Sequence, residues 1–199
     1  MPQGRQDAWE IVNEFTKNPN LIKHMLAVEA AMRAYARKLG EDEELWAAVG
    51  LLHDFDWEIH PNLNEHPIKG ADILRGRGWD EEIILTVLSH YPSGTGVQPR
   101  KLVDFALLAC DEVTGLITAT ALVRPSKDIR DVQLKSIRKK WKDRAFAAGV
   151  DRDEVEERTA AFIAATPALT GWDVWQHVDL ILRAMQEIAA DLDLDGRLA

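Results

Sequence analysis

Six residues in the first half of the chain have the types and the spacing to bind metal: His24, His53, Asp54, His66, His90 and Asp111. Three of these imidazoles and one carboxylate stand at the ends of helix-like segments. The apolar run Ala47–Leu52 stops at His53-Asp54, His66 opens the next periodic segment, and His90 closes a third. Side chains at such ends, carried by separate helices, can converge on one point. Neutral imidazole combined with carboxylate suits zinc, manganese or iron better than calcium or magnesium, which favour all-oxygen ligands. Neighbouring residues on a helix point about 100° apart, so His53 and Asp54 reach two sides of one ion or bridge two. Asp111 follows Leu107-Leu108-Ala109-Cys110, where a carboxylate is expensive to bury unless paired, hydrogen-bonded or bound to metal. A single histidine on an apolar face is commonly a hydrogen-bonded core residue. The ordered set is what points to a metal centre. His60, in a polar loop, and His177, beside Trp175, are read as structural.

The elements that must position these groups are helices. Apolar residues recur at helical spacing nearly everywhere, and strand alternation is nearly absent. The pattern predicts helices over Ala8–Phe15, Leu21–Leu39 and Glu43–His53, with Gly40 stopping the second. A further helix starts at His66-Pro67, where proline at an early position costs nothing, and ends at Arg75-Gly76-Arg77-Gly78. Asp80 caps the next one, with Glu81 and Glu82 in its first turn. Tyr91–Pro99 reads as a loop, and a long helix runs from Lys101 to about Val123. Beyond it, helices are predicted over Asp131–Ala148 (closed by Gly149), Asp151–Ala165 and Asp173–Leu192, with the chain after Asp191 expected to fray. With no repeats and no long linker, the expectation is all-α: one helical-bundle domain over residues 1–199, extended by helices from about residue 126.

A chain of 199 residues can bury a substantial core, and 46% apolar with 29% charged residues is ordinary for a globular protein. The longest unbroken apolar runs are too short to span a bilayer, so no membrane partner is expected. The first residues have neither the basic start nor the apolar core of a secretory signal. Cys110 is the single cysteine, which excludes an internal disulfide framework and favours a reducing, cytoplasmic setting. A net charge of −9 argues against generic duplex binding. Against that background one segment is basic: Lys135, Arg138, Lys139, Lys140, Lys142 and Arg144, interleaved with Leu134, Ile137 and Trp141. It reads as a solvated face, as a phosphate-binding wall helped by Arg124 and Lys127, or as a face for a homo-oligomer. No platform of exposed aromatics accompanies it, so nucleic acid is not the expected partner. Trp57, just after Asp54, is a candidate to line a pocket.

The order His24 … His53-Asp54 … His66 … His90 … Asp111 resembles the HD-domain superfamily of metal-dependent phosphohydrolases. The segment His66-Pro67-Ile68-Lys69-Gly70-Ala71-Asp72-Ile73-Leu74 resembles the part that supplies the extra histidine in its two-metal members. The likeness covers roughly residues 20 to 125, an HD core. Residues 121–127 (Ala-Leu-Val-Arg-Pro-Ser-Lys) and 135–143 resemble a subgroup of predicted HD-superfamily hydrolases. The resemblance implies an enzyme hydrolysing a small phosphoester or nucleotide through a metal-bound hydroxide, with one or two divalent ions (Fe, Mn, Zn, Co or Ni) per chain. It implies that His24, His53, Asp54 and Asp111 hold one ion, that His66 and His90 add a second, and that Asp54 bridges them. It makes Asp54, Asp56 and Glu58 the candidates for catalysis and proton transfer, and Lys69, Arg124, Lys127, Lys139 and Lys140 the candidates for binding phosphate. The chain has Asp54-Phe55-Asp56-Trp57-Glu58 where the stringent-response nucleotide hydrolases have His-Asp-x-x-Glu-Asp, which weakens transfer of their proton relay. The same ligand order is similar to HD-domain mixed-valent diiron oxygenases. A non-catalytic ligand-binding HD module is the third reading, and the intact ligand set speaks against it.

Overall fold

Local signals in the sequence account for half of the helix starts. In a computed structural model describing residues 3–197, the side chains of Asn18, Asp42, Asp80, Asp151 and Asp173 each accept backbone N–H groups at a helix start. Gly40 stops the second helix in the left-handed conformation, at φ 73°. The resulting helices are α1 (Arg5–Phe15), α2 (Pro19–Leu39), α3 (Glu43–Leu52), α4 (Ile68–Gly76), α5 (Glu81–Ser89), α6 (Pro92–Thr95), α7 (Leu102–Leu122), α8 (Leu134–Trp141), α9 (Arg152–Ala165) and α10 (Val174–Glu187). No β-strand occurs among the described residues. The fold is all-α, as the periodicity predicts.

The chain divides into two compact units, with the boundary inside α7 at Leu107–Leu108. In the first unit, α3 packs on α1, α2 and α5, and α4 packs on α5. Trp46 to Leu52 are buried without a break, which makes α3 the central helix of this unit. Two features fix it against α2. Arg33 on α2 reaches Glu29, Glu43 and Glu44, so a partly buried ionic network ties α2 to the start of α3. Arg5 of α1 joins the network through Glu29. Gly50 then lets the two backbones touch: a Cβ at this position would lie 2.8 Å from Glu29 Cα. A larger residue would hold the helices apart.

In the second unit α10 packs against α8 and α9, and Trp141 of α8 meets Trp175 of α10 edge to face at 5.2 Å. The predicted helix over Asp131–Ala148 is cut short at Trp141. Asp143 accepts the N–H groups of Ala145 and Phe146 in a turn, and Ala147 is left-handed at φ 46°. Buried Arg152 donates to the carbonyls of Phe146, Ala147 and Val150, which holds these residues in turns instead of a helix. The expected fraying after Asp191 is not seen over residues 192–197, and residues 198 and 199 lie outside the described residues. Leu192 and Leu194 are buried, and the Leu194 carbonyl accepts from Ile129 N–H at 2.8 Å. By length and composition α7 could cross a membrane, but 61% of that stretch is buried within the protein.

Candidate metal centre

Four imidazoles of the first unit arrive from four helix ends or faces. His24 lies near the start of α2, His53 caps the end of α3, His66 stands just ahead of α4, and His90 caps the end of α5. Asp54 follows His53 directly. The Nε2 atoms form two pairs: His24 and His53 at 3.1 Å, and His66 and His90 at 3.1 Å. The Asp54 carboxylate stands between the pairs. Its Oδ2 lies 3.5 Å from His24 Nε2 and 3.6 Å from His53 Nε2. Its Oδ1 lies 3.3 Å from His66 Nε2 and 3.6 Å from His90 Nε2. Two ligands about 2.1 Å from one ion stand about 3.0 to 3.4 Å apart, so the spacing within each pair fits one ion. Asp54, His66 and His90 could hold one such ion.

The imidazoles are also presented in the right tautomer. His53 Nδ1 donates to the Gly50 carbonyl at 2.8 Å, and His90 Nδ1 donates to the Val87 carbonyl. His66 Nδ1 donates to Asp56 Oδ1 at 2.8 Å. A carbonyl or carboxylate oxygen only accepts, so each of these rings carries a proton on Nδ1 and turns Nε2 inward. Trp57 packs edge to face on His66 at 4.9 Å and limits its rotation.

The electrostatics favour positive charge here. Burial works against ionised Asp54, but His53, His24 and His66 outweigh it and hold its carboxyl well below the usual carboxylate range. Burial works against protonated His66, yet the Asp54 and Asp56 carboxylates raise it to about 9. The same field serves a proton or a metal ion. Cys110 is no competitor for the role, because burial first, and the Asp111 charge second, push its thiol far up.

The Oε2 of Glu58 accepts the N–H groups of Lys17 and Asn18 at 2.7 and 2.8 Å, fastening the turn before α2. These two backbone donors, set against slight desolvation, lower its pKa. Asp56 is fully buried, with both oxygens engaged by His66 and by Gly70 N–H. Lys69 is exposed on α4. Asp111 is half-buried on α7, in the second unit. Arg124, Lys127, Lys139 and Lys140 also belong to the second unit. Arg124 Nε is buried without a hydrogen-bond partner, Lys127 is left-handed at φ 46°, Lys139 is exposed, and Lys140 lies 4.2 Å over the Phe146 ring. His177 is buried and donates to the Ala109 carbonyl at 2.8 Å. A cleft of about 640 Å³ in the first unit is lined by Gln3, Asp42, Glu44, Asp80 and Glu82 rather than by the histidines. Its acids are committed to capping α3 and α5 and to pairing with Arg33 and Lys101.

Sequence reasoning missed Gly50 and Gly70. A glycine inside a helix is costly, and its presence in two ligand-bearing segments was the available signal for close backbone approach.

Residues 21–112 match the family model of the HD domain. A tRNA (cytidine(56)-2'-O)-methyltransferase of Thermoplasma volcanium is 30% identical over 102 residues, 51% of this chain and 29% of that protein. A ribonuclease Y of Oleidesulfovibrio alaskensis is 28% identical over 97 residues, 48% of this chain and 18% of its own length. An uncharacterized protein of Methanocaldococcus jannaschii is 32% identical over 93 residues, 44% of this chain and 53% of that protein. The chain thus spans less than a third of the first two relatives. No solved structure matches it.

Proposed function

From the match of residues 21–112 to the HD domain, we propose a metal-dependent phosphohydrolase acting on a small phosphoester or nucleotide. One observation carries the reading: the two oxygens of Asp54 each face a separate histidine pair. That is the arrangement of a carboxylate bridging two cations. His24 and His53 hold one position, His66 and His90 the other, and Asp54 serves both. Asp111, which falls inside the HD-matching span, is assigned as a further ligand of the first position by its place in the residue order. Divalent ions held in this way polarise a phosphoryl oxygen and lower the pKa of a water for attack on phosphorus.

The chain's own part is positioning. Gly50 and Val87 carbonyls and the Asp56 carboxylate fix three ring orientations, so the donors need no reorganisation when substrate arrives. Burial of His53, His66 and His90 keeps bulk water from competing at their Nε2 atoms. Lys69 is the cation proposed to meet substrate phosphate in the first unit. Arg124, Lys127, Lys139 and Lys140 are proposed contacts from the second.

Metal analysis of protein purified without added metal or chelator tests the reading, alongside His66→Ala and His90→Ala. Two ions per chain, falling to about one in each variant, are expected. Hydrolysis of nucleoside monophosphates and of p-nitrophenyl phosphate with manganese should follow. Because the relatives' names include ribonuclease, a short RNA belongs in the same screen. Iron in the site with oxygen uptake and no phosphate release would replace hydrolysis with oxygenase chemistry. Failure to load any metal would refute the enzyme reading.

A further inference from the structure

Three histidines of the centre are oriented through Nδ1, but not in the same way. His53 and His90 cap the ends of α3 and α5, and each donates to a carbonyl three residues earlier, Gly50 or Val87, in its own last turn. That contact comes with the helix end itself, where carbonyls lack intrahelical partners. His66 precedes α4, so it stands at a helix start, where the unpaired groups are N–H donors. No helix-end carbonyl is available to it, and a side chain supplies the acceptor instead.

That side chain is Asp56. Its Oδ1 accepts from His66 Nδ1 at 2.8 Å, and its Oδ2 accepts from Gly70 N–H at 3.0 Å. The carboxylate is fully buried, which is costly unless its oxygens are satisfied. Space for it exists because residue 70 has no side chain: a Cβ there would lie 2.6 Å from Asp56 Cγ and 2.8 and 2.9 Å from its oxygens. One seat in α4 therefore locks the carboxylate, and the carboxylate locks the ring. A carboxylate on Nδ1 also makes an imidazole a stronger ligand than a carbonyl does.

We propose that Asp56, seated on Gly70, is the positioning residue that makes the His66/His90 position competent to hold an ion, so that the chain's capacity for two metals depends on a side chain touching neither. The proposal rests on the dinuclear reading of Asp54 and its two histidine pairs. It predicts a selective lesion. Removing the Asp56 carboxylate empties the second position and leaves the His24/His53 position loaded.

Full-length wild type, Asp56→Ala, Asp56→Asn and Gly70→Ala should be titrated with manganese alone. Bound metal is counted at equilibrium, and circular dichroism monitors the fold. Wild type is expected to take two ions. Asp56→Ala and Gly70→Ala should weaken one of them by about 10- to 100-fold, the usual penalty for losing a ligand's outer partner, with the other unchanged. Asp56→Asn retains one carbonyl oxygen for Nδ1 and should fall between. Should Asp56→Ala fail to fold, Gly70→Ala decides, since alanine favours the helix and the lesion falls on the carboxylate's seat. A folded Gly70→Ala or Asp56→Ala that binds both ions with wild-type affinity overturns the positioning role and leaves the metal centre standing. A wild type that binds no manganese overturns the metal centre and this role with it.

Discussion

Gly50→Ala is the sharpest test of how the proposed first ion position is built. The added carbon would lie 2.8 Å from Glu29 Cα, 2.9 Å from Glu29 N and 3.2 Å from the Val28 carbonyl carbon. All three are backbone atoms of α2, so nothing can swing aside. Carbon contacts settle near about 3.5 Å, and α3 must therefore part from α2 by about 0.7 Å. Overpacking of this kind costs about 1–3 kcal/mol. For a chain of this size it lowers the melting temperature by about 2–12 °C. The displacement also reaches the site, because His24 rides on α2 and His53 ends α3. Their Nε2 atoms, 3.1 Å apart, would open toward about 3.8 Å, past the roughly 3.4 Å that one ion spans. A loss of metal affinity on the order of tenfold should follow at that position only. Thermal melting of the metal-free protein and a manganese titration measure the two effects. Unchanged melting with both ions bound at full affinity would refute the close helix approach as the origin of the site.

Other outcomes are expected from the second unit. Arg152→Met keeps the aliphatic stem but strips donors from the Phe146, Ala147 and Val150 carbonyls. A loss of about 1–3 kcal/mol, faster amide exchange over residues 143–150 and unchanged metal content are predicted. Burial, opposed by donation to Ala109, lowers the pKa of His177 to about 4. Free histidine titrates near about 6.5, so the unfolded chain takes up the proton first as pH falls. The stability that neutral His177 contributes is complete above that value and is lost progressively down to pH about 4. His177→Gln should flatten the denaturant midpoint against pH by about one proton in this window. An unaltered slope would show that this histidine is not the titrating group.

Much of the first unit was legible in the residues. Asn18, Asp42 and Asp80 mark helix starts by their own side chains, and Gly40 marks an end, so those boundaries depend on a few neighbouring positions. The histidines were legible as an ordered set at the ends of apolar runs, since each one alone has a bland explanation. The partners of Asp56 and Glu58 were not legible, for the opposite reason. Their work is set by partners far along the chain, Gly70 in one case and Lys17 with Asn18 in the other. Spacing alone cannot show that both carboxylates are already engaged. The long basic helix fails similarly, since its break answers to Arg152, a residue beyond the segment it interrupts.

Asp54 carries a thermodynamic consequence. In the proposed centre, one negative charge shared by two cation positions links their occupancies. The first ion to arrive takes up most of the attraction that Asp54 offers, and the second meets a site already neutralised and a like-charged neighbour. Loading should therefore run in order, with two separated affinities rather than one. By reciprocity, whatever removes either ion tightens the hold on the one that stays.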